Sequence, residues 1–511
     1  MIKLSNVKIK PFEEDRALLE KSAKKAGVKV ADVKYFKLVK KSLDARDKSN
    51  IFYSCSVELS TREYKKPLKV YNKVKKQGEV LVVGMGPAGL FCALDLLRYG
   101  LKVTLIERGK AVDERSQSVD SFIATRVLDS ECNIQFGEGG AGAFSDGKLN
   151  TGVGGLTARE VIDDFLLFGA PSEIDYLQKP HIGSDKLKGV VKNIRNEIIR
   201  LGGEVFFSTK LSDIEIANGK VKSVTIGNEK RVFDEIVLAV GHSARDVYYM
   251  LERHGVQMES KDFAVGFRIE HLQSNINLSQ YGKFANGKGM PVADYKLVSN
   301  HNGRGVFTFC MCPGGYVMPS ASESETIVTN GMSNFLRDGE NSNSAIICQV
   351  TKNDFGSSLF GGLEFQKNLE KKAFNLGGCD YKAPSMLVGD YLSGKTSNSF
   401  GKVNPSYPMG VSKANLNELF SEDINSSIKY AITDMAKRLK GFDDYDAVLT
   451  GVESRTSSPI RVLRGENYQS VSASNLYPCG EGCGYAGGIT SAGADGKKVA
   501  KAIALKYGME F

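Results

Sequence analysis

The chain runs to 511 residues, with 25% charged and 41% hydrophobic side chains and a formal net charge of +9. That length suggests two to four domains with sizeable cores, and the balance excludes disordered and fibrous classes. No run nears the ~20 apolar residues of a membrane span, Met1 to Asn6 opens no signal-peptide core, and nine scattered cysteines form no secreted disulfide framework, so a cytoplasmic protein is expected.

Charge is unevenly spread. Residues 1–76 hold 21 Lys and Arg against 9 Asp and Glu, a net of +12 that leaves −3 for the remainder. Apolar spacing predicts a strand over Ile2 to Ile9, a helix over Glu13 to Ala26, and strands around Tyr35 to Val39 and Phe52 to Leu59. This is a small basic α/β module, with 65–77 as the linker out of it. Its lysines, among them Lys37, Lys40, Lys41, Lys65, Lys66, Lys75 and Lys76, suit phosphate or nucleic acid. No RNP, KH or helix-turn-helix motif accompanies them, so a solvated face or a patch docked on an acidic neighbour is preferred.

Glu79-Val80-Leu81-Val82-Val83 has the length of a buried strand and ends in Gly84-Met85-Gly86-Pro87-Ala88-Gly89, a GxGxxG pattern. Gly84 permits the tight turn, Gly86 lets backbone approach a pyrophosphate, and Gly89 lets the next helix pack on the strand. Pro87 suits a first helical turn, Leu90, Phe91, Leu94 and Leu97 recur at helical spacing, and Gly100 fits the stop. The run Leu101 to Ile106 then ends in Glu107, placed to accept both ribose hydroxyl protons, with Arg108 beside it. Strand, turn, helix, strand and acid in register predict a bound dinucleotide. The acid argues against a 2′-phosphate, and the pattern alone does not separate FAD from NAD.

A polar helical stretch around Ala111 to Asp129 leads to Phe136-Gly137-Glu138-Gly139-Gly140-Ala141-Gly142-Ala143-Phe144-Ser145-Asp146-Gly147-Lys148. Glycines among small residues permit close backbone approach and present N–H donors. Gly139, Gly140, Ala141, Gly142, Phe144, Ser145, Asp146 and Lys148 are therefore expected against a flat ring or a phosphate. A helix over Ser184 to Gly202, a strand at Glu204 to Phe207, a hairpin turning on Asn218-Gly219 and a buried strand over Phe233 to Val240 resume the nucleotide-binding sheet. His242, after Gly241, reads as a structural loop histidine.

Residues 262–464 are strand-rich and carry no motif. Strands are expected over Val265 to His271 and Gly305 to Cys312, the latter leading to Pro313-Gly314-Gly315-Tyr316; Ser320 to Met332 follows, and a helix is expected over Ser421 to Leu439. Such material between two pieces of a nucleotide domain, 77–261 and 465–511, suits an inserted α+β substrate domain. Arg268, Glu270, His271, Glu453, Arg455 and Arg461 are its notable polar residues, read as structural ion pairs before chemistry; no catalytic residue is assigned. The close cysteine pairs, Cys310 with Cys312 and Cys479 with Cys483, lack C-x-x-C spacing and read as ordinary reduced thiols, and no metal site is expected.

Tyr477-Pro478-Cys479-Gly480-Glu481 is a short strand-like entry followed by Gly484, Gly487, Gly488 and a helix from Ile489 to about Tyr507. The free N–H groups and positive dipole end of that helix can stabilise negative charge on a reduced flavin ring, and Glu481 can bond a ribityl or ribose hydroxyl. A nicotinamide enzyme has no need of this distant second half.

Together, the GxGxxG with Glu107, the loop QFGEGGAGAFSDGKLNT ending at Thr151, the strand DEIVLAVGHSARD and the terminal YPCGEGCGYAGGITSAGADG resemble the bacterial family of FAD-dependent dehydrogenases, itself similar in layout to glutathione-reductase-like flavoproteins. The resemblance spans nearly the whole chain. It implies a Rossmann-like α/β fold with a parallel sheet and β-meander, and non-covalent FAD. Gly84, Gly86, Pro87, Ala88, Gly89, Glu107 and Arg108 would serve the adenosine and pyrophosphate, Leu211 the adenine, and Gly241 the cofactor nearby. The glycine loop would lie near the isoalloxazine, with Gly480, Glu481, Gly487, Gly488 and Ile489 at the ribityl and pyrimidine edge. The early C-x₄-C pair and second nucleotide fingerprint of glutathione-reductase-type enzymes are not visible. The expectation is an FAD-dependent oxidoreductase acting on a small molecule, with NAD(P)H as a transient partner, the alternative being an FAD protein that binds or modifies RNA through the basic module.

Overall fold

The apolar run Glu79–Val83 forms the middle strand of a five-stranded parallel sheet, in the order Leu476–Pro478, Glu235–Leu238, Glu79–Val83, Lys102–Ile106, Glu204–Phe206. The computed structural model describes residues 1–65, 67, 69–149 and 155–510; Lys66 of the amino-terminal lysines and Asn150 and Thr151 of the glycine-rich loop lie outside them. Strands buried on both faces are apolar throughout rather than alternating. Here one face is covered by the helices Pro87–Tyr99, Leu156–Leu167, Ser184–Arg200 and Ile489–Lys506. A three-stranded meander, Leu211–Ala217, Lys220–Ile226 and Glu229–Arg231, and the helix Arg245–Arg253 cover the other. Asn218 and Gly219 both take positive φ, 53° and 67°, as the tight hairpin turn requires. The expected Rossmann-like sheet and meander are thus present, while the helices Leu156–Leu167 and Arg245–Arg253 went unread because neither is punctuated by a strong cap.

Residues 263–453 build a seven-stranded mixed sheet around Phe263–Leu272, which pairs antiparallel with Asn341–Val350 on one side and Val448–Glu453 on the other. Helices Gly361–Leu376 and Glu422–Ala436 share its main core with Phe267, Ile346 and Leu449. At the amino end, Ile2–Ile9, Phe52–Ser60 and Tyr35–Asp44 form an antiparallel sheet carrying the helix Asp15–Ala26. This module docks by its edge strand. Lys41 N–H donates to Tyr176 O at 2.7 Å, Gln178 N–H donates to Lys41 O at 3.0 Å, and Lys37 Nζ lies 3.0 Å from Asp175. Lys69 and Lys75 pair with Glu160 and Glu510, so part of the basic excess meets acids of the nucleotide domain. No helix among the described residues is long and apolar enough to cross a membrane.

The two halves of the nucleotide domain are joined by a buried charge cluster whose Asp95 and Lys497 lie 402 positions apart in sequence. Lys497 Nζ lies 3.0 Å from Asp95 and 2.5 Å from Asp164, and Arg98 lies 3.1 and 2.9 Å from the same two acids. Lys497, Asp95, Asp164 and Arg98 are each at most 7% exposed. Removing one partner of such a set strands the opposite charge in a low-dielectric interior. Lys497→Met should therefore lower stability by about 3–5 kcal/mol, read as a fall in the urea midpoint of the first unfolding transition. An unchanged midpoint would show that the cluster does not hold the halves together.

Candidate functional site

The glycine fingerprint folds as steric necessity dictates. Gly84 sits at φ +101°, where a Cβ would lie 2.4 Å from Ala239 O, and a Cβ on Gly89 would lie 1.9 Å from Gly84 O. Gly86 is the N-cap of the Pro87–Tyr99 helix and offers no capping side chain, which leaves the first-turn N–H groups facing outward. Glu107 is 6% exposed and already accepts three backbone N–H bonds of 2.9 Å, from Met85 to Oε2 and from Gly109 and Gly137 to Oε1. A carboxylate has about four acceptor positions. Room for one further hydroxyl remains, rather than for both ribose hydroxyls. Arg108 stands over the Phe136 ring at 4.5 Å and pairs with Asp246 at 2.8 Å.

The glycine-rich loop is wrapped around a side chain that the sequence did not flag. Arg115 is fully buried and donates to five backbone carbonyls, those of Asn133, Ile134, Gly137, Glu138 and Gly140, at 2.7–3.3 Å. Burial with no carboxylate bonded to it brings its pKa down to about 10. With its carbonyls so engaged, the loop turns Gly140 onto the fingerprint: a Cβ on Gly140, at φ +59°, would lie 3.0 Å from Gly86 Cα. Ser145, Asp146 and Lys148 follow on the same wall, Asp146 clamped by Arg337 at 2.6 and 3.0 Å.

These pieces line one cleft enclosing about 1760 Å³ of empty space, its solvent mouth included. Gly84, Gly86, Pro87, Ala88, Glu107, Arg108, Gly140, Ala141, Gly142, Ser145, Asp146, Lys148, Leu211, Gly241, Glu481, Gly487, Gly488 and Ile489 all face it. Gly89, Gly139, Phe144 and Gly480 stand behind the wall. Gly89 and Gly139 make room for backbone and for Val191, the Phe144 ring packs under the Arg115 guanidinium at 4.8 Å, and Gly480 donates its N–H to Asp495 at 2.8 Å. The opposite wall holds Phe309, Cys310 and Glu453 of the second sheet, Arg455 and Thr456 just beyond its strand end, and Asn330 of Thr329–Ser333, which pairs with Gly315–Pro319 in a separate two-stranded sheet. Sequence reasoning singles out Glu453, Arg455 and, as one of a close cysteine pair, Cys310; Phe309, Asn330 and Thr456 are missed because tertiary placement rather than local spacing brings them in. Arg268 and Glu270 lie buried behind that wall, His271 bonds Phe442 O at 2.9 Å, and Arg461 pairs with Glu259 on the surface.

Electrostatics divides the cleft. Burial pushes the Glu453 carboxyl up to about 7 despite Arg268 at 3.4 Å, and burial pushes Glu481 up to about 7 as well. His242 faces the cleft; burial, with Arg455 and Arg245 nearby, drives it down to about 3, so it is neutral, and its Nε2 has no partner. Arg245 and Arg455 both clamp the buried Glu370, at 2.9 and 2.7 Å, and against the penalty of burial they hold its carboxyl at about 2. That trio is a structural brace. Among the described residues no three His, Cys, Asp or Glu side chains converge as a metal ion requires.

The cleft fits an extended dinucleotide with a ring system. A Cβ on Gly241, Gly487 or Gly488 would meet nothing within 4 Å, so backbone is bared to the cleft at these points. Two helix N-termini, at Gly86 and Gly488, carry no capping side chain, and the buried Glu453 Oε2 and His242 Nε2 lack partners. Residues 78–269 match the family model of pyridine nucleotide-disulphide oxidoreductases, 262–456 that of the FAD-dependent protein C-terminal domain, and 1–60 a domain of unknown function. A protein of Clostridium beijerinckii, described as an uncharacterized protein, is 44% identical, with 99% of each chain aligned. Among solved structures, CtdE in complex with FAD superposes with a TM-score of 0.35 at 13% identity, over 84% of this chain and 85% of that one. Glycine oxidase from Bacillus cereus does so with a TM-score of 0.32 at 12% identity, over 84% and 95%. The chain belongs, with its Clostridium relative, to the bacterial family of FAD-dependent dehydrogenase-like proteins that join a pyridine nucleotide-disulphide oxidoreductase domain to an FAD-dependent C-terminal domain, and its cofactor is FAD.

Proposed function

We propose that the protein transfers a hydride or two electrons between a small organic substrate, or a transiently bound nicotinamide, and an acceptor by way of non-covalent FAD. The observation that carries this reading is the continuity of the cleft from the glycine fingerprint to the wall built by Phe309, Cys310 and Glu453 of the second sheet and Asn330 beside them. The flavin supplies the two-electron chemistry, and the chain supplies binding, orientation and charge. On this reading the Gly86 helix end holds the pyrophosphate and Leu211 the adenine. The glycine loop and the Gly488 helix end flank the ring, and residues 262–464 act as the substrate domain. Glu453, poised near 7 with one oxygen unpartnered, is suited to take the proton of a donor's O–H or N–H group.

The purified protein should carry oxidised FAD, and its flavin bands should bleach on anaerobic addition of NADH or NADPH. Failure to take up any flavin on reconstitution would overturn the reading. With an organic donor, Glu453→Gln should slow flavin reduction by about 10²–10⁴-fold at unchanged flavin content; an equal rate would remove Glu453 from proton transfer. Glu481 accepts hydroxyl hydrogen bonds best as the carboxylate. FAD affinity, followed by flavin fluorescence, should therefore weaken as pH falls through about 7, and Glu481→Gln should flatten that dependence. A pH-independent affinity in the parent protein would take Glu481 out of cofactor binding.

A further inference from the structure

We propose that Cys310 and Cys312 form a redox-active dithiol that exchanges two electrons with the FAD in the cleft, an inference that rests on the flavoprotein reading above. The pair sits at a break in the second sheet. Along Arg304–Cys312, Phe309 pairs with Ala345 but Cys312 pairs with Asn343, so three steps on one strand oppose two on the other. Cys310 is the bulged residue and takes φ 42°, a left-handed conformation that backbone preference gives to glycine or asparagine. A cysteine held there is explained by what its side chain does.

The bulge turns Cys310 into the cleft and leaves Cys312 buried directly behind it. In a regular strand, residues i and i+2 lie about 6.7 Å apart, near the upper limit of about 6.8 Å between the α-carbons of a disulfide; a left-handed bend shortens that span. Both residues are held by one cation. Arg268 Nη2 donates to Cys310 O at 2.9 Å and lies 3.7 Å from Cys312 Sγ, while Cys312 Sγ donates to Cys310 O at 3.3 Å. Asn343 Oδ1 at 2.6 Å fixes the guanidinium. Lys148 of the glycine-rich loop and Glu481 of the terminal loop both lie within electrostatic reach of Cys310, which places the thiol between the two segments proposed to flank the ring.

The Cys312 thiol, helped by Lys148 and Arg268, outweighs burial and brings the Cys310 thiol down to about 6, while Cys312 is pushed up and stays protonated. Cys310 is the more acidic thiol of the pair, and the thiolate is the reactive form of cysteine. In the transfer the S–H bond of Cys312 breaks and an S–S bond forms. Two electrons and the Cys312 proton pass to oxidised FAD, which becomes its two-electron-reduced form; the reverse reduces the disulfide. Cys479 and Cys483 do not face the cleft, and Cys483 Sγ donates to Leu238 O, so they fill space instead.

The test is a reductive titration of the full-length FAD-loaded protein, oxidised with diamide, freed of excess reagent and titrated anaerobically with dithionite. The expected result is double the dithionite that the bound flavin alone requires, falling by half in Cys310→Ser and in Cys312→Ser. In the oxidised parent protein, alkylation and peptide mass analysis should find both cysteines blocked, and after reduction both modified. If the parent consumes only the flavin's share and both cysteines alkylate before reduction, the proposal fails, whatever the variants do. Absence of flavin in the parent would instead overturn the FAD assignment, so the two failures are told apart.

Discussion

The site depends first on the guanidinium of Arg115. A run of glycines has little reason to hold one shape, because each residue has wide conformational freedom to lose. Five carbonyl bonds to a single buried cation give the run that reason. Glu107 works from the other side of the same loop, taking N–H groups from Met85, Gly109 and Gly137. One cation collects carbonyls and one anion collects amides, and between them three loops distant in sequence are fixed as a single surface. Substitution at either residue would act on the whole surface rather than on one contact.

The second sheet matters to function through its register. Its strands bring Phe309, Cys310 and Glu453 to the cleft and the neighbouring hairpin adds Asn330, so three separate places in the chain meet there without a shared sequence motif. The buried Arg268 stands behind them and ties Cys310, Cys312, Asn343 and Glu453 into one polar group in an otherwise apolar layer. Polar groups so buried are costly unless satisfied, and the partnerless Glu453 Oε2 marks where that group opens to the cleft.

Much of the nucleotide half was legible in the sequence, because steric rules acting over a few residues leave a local trace. Gly84 and Gly89 are glycines since a Cβ would strike backbone, and Asn218-Gly219 marks a turn that needs two positive φ angles. The βαβ unit at the head of the parallel sheet was legible from strand, glycine turn, helix and strand in register, and the rest of that sheet from the family resemblance. Arg115 left no trace, since a charged residue on a polar helix looks like solvent-facing surface until its neighbours are known. The same holds for the inserted region, where strand order places Glu453 beside Arg268 across 185 positions. The basic module was legible as a fold and as a patch docking on an acidic neighbour, but the acids that meet Lys37, Lys69 and Lys75 lie elsewhere in the chain and could not be named.

The packing of Ile489–Lys506 on Pro87–Tyr99 also sets a timetable for synthesis. The helix that follows the fingerprint leaves the ribosome long before the helix that covers it. Until then Phe91 and Ala88 lack the close backbone of Gly493 and Gly496, and Asp95 and Asp164 await Lys497. The small amino-terminal sheet and the seven-stranded sheet are each continuous in the order of translation and can close first. The nucleotide domain closes only once Ile489–Lys506 has been made, so a molecule truncated before Glu481 loses one wall of the cleft and the cover of its central helix together.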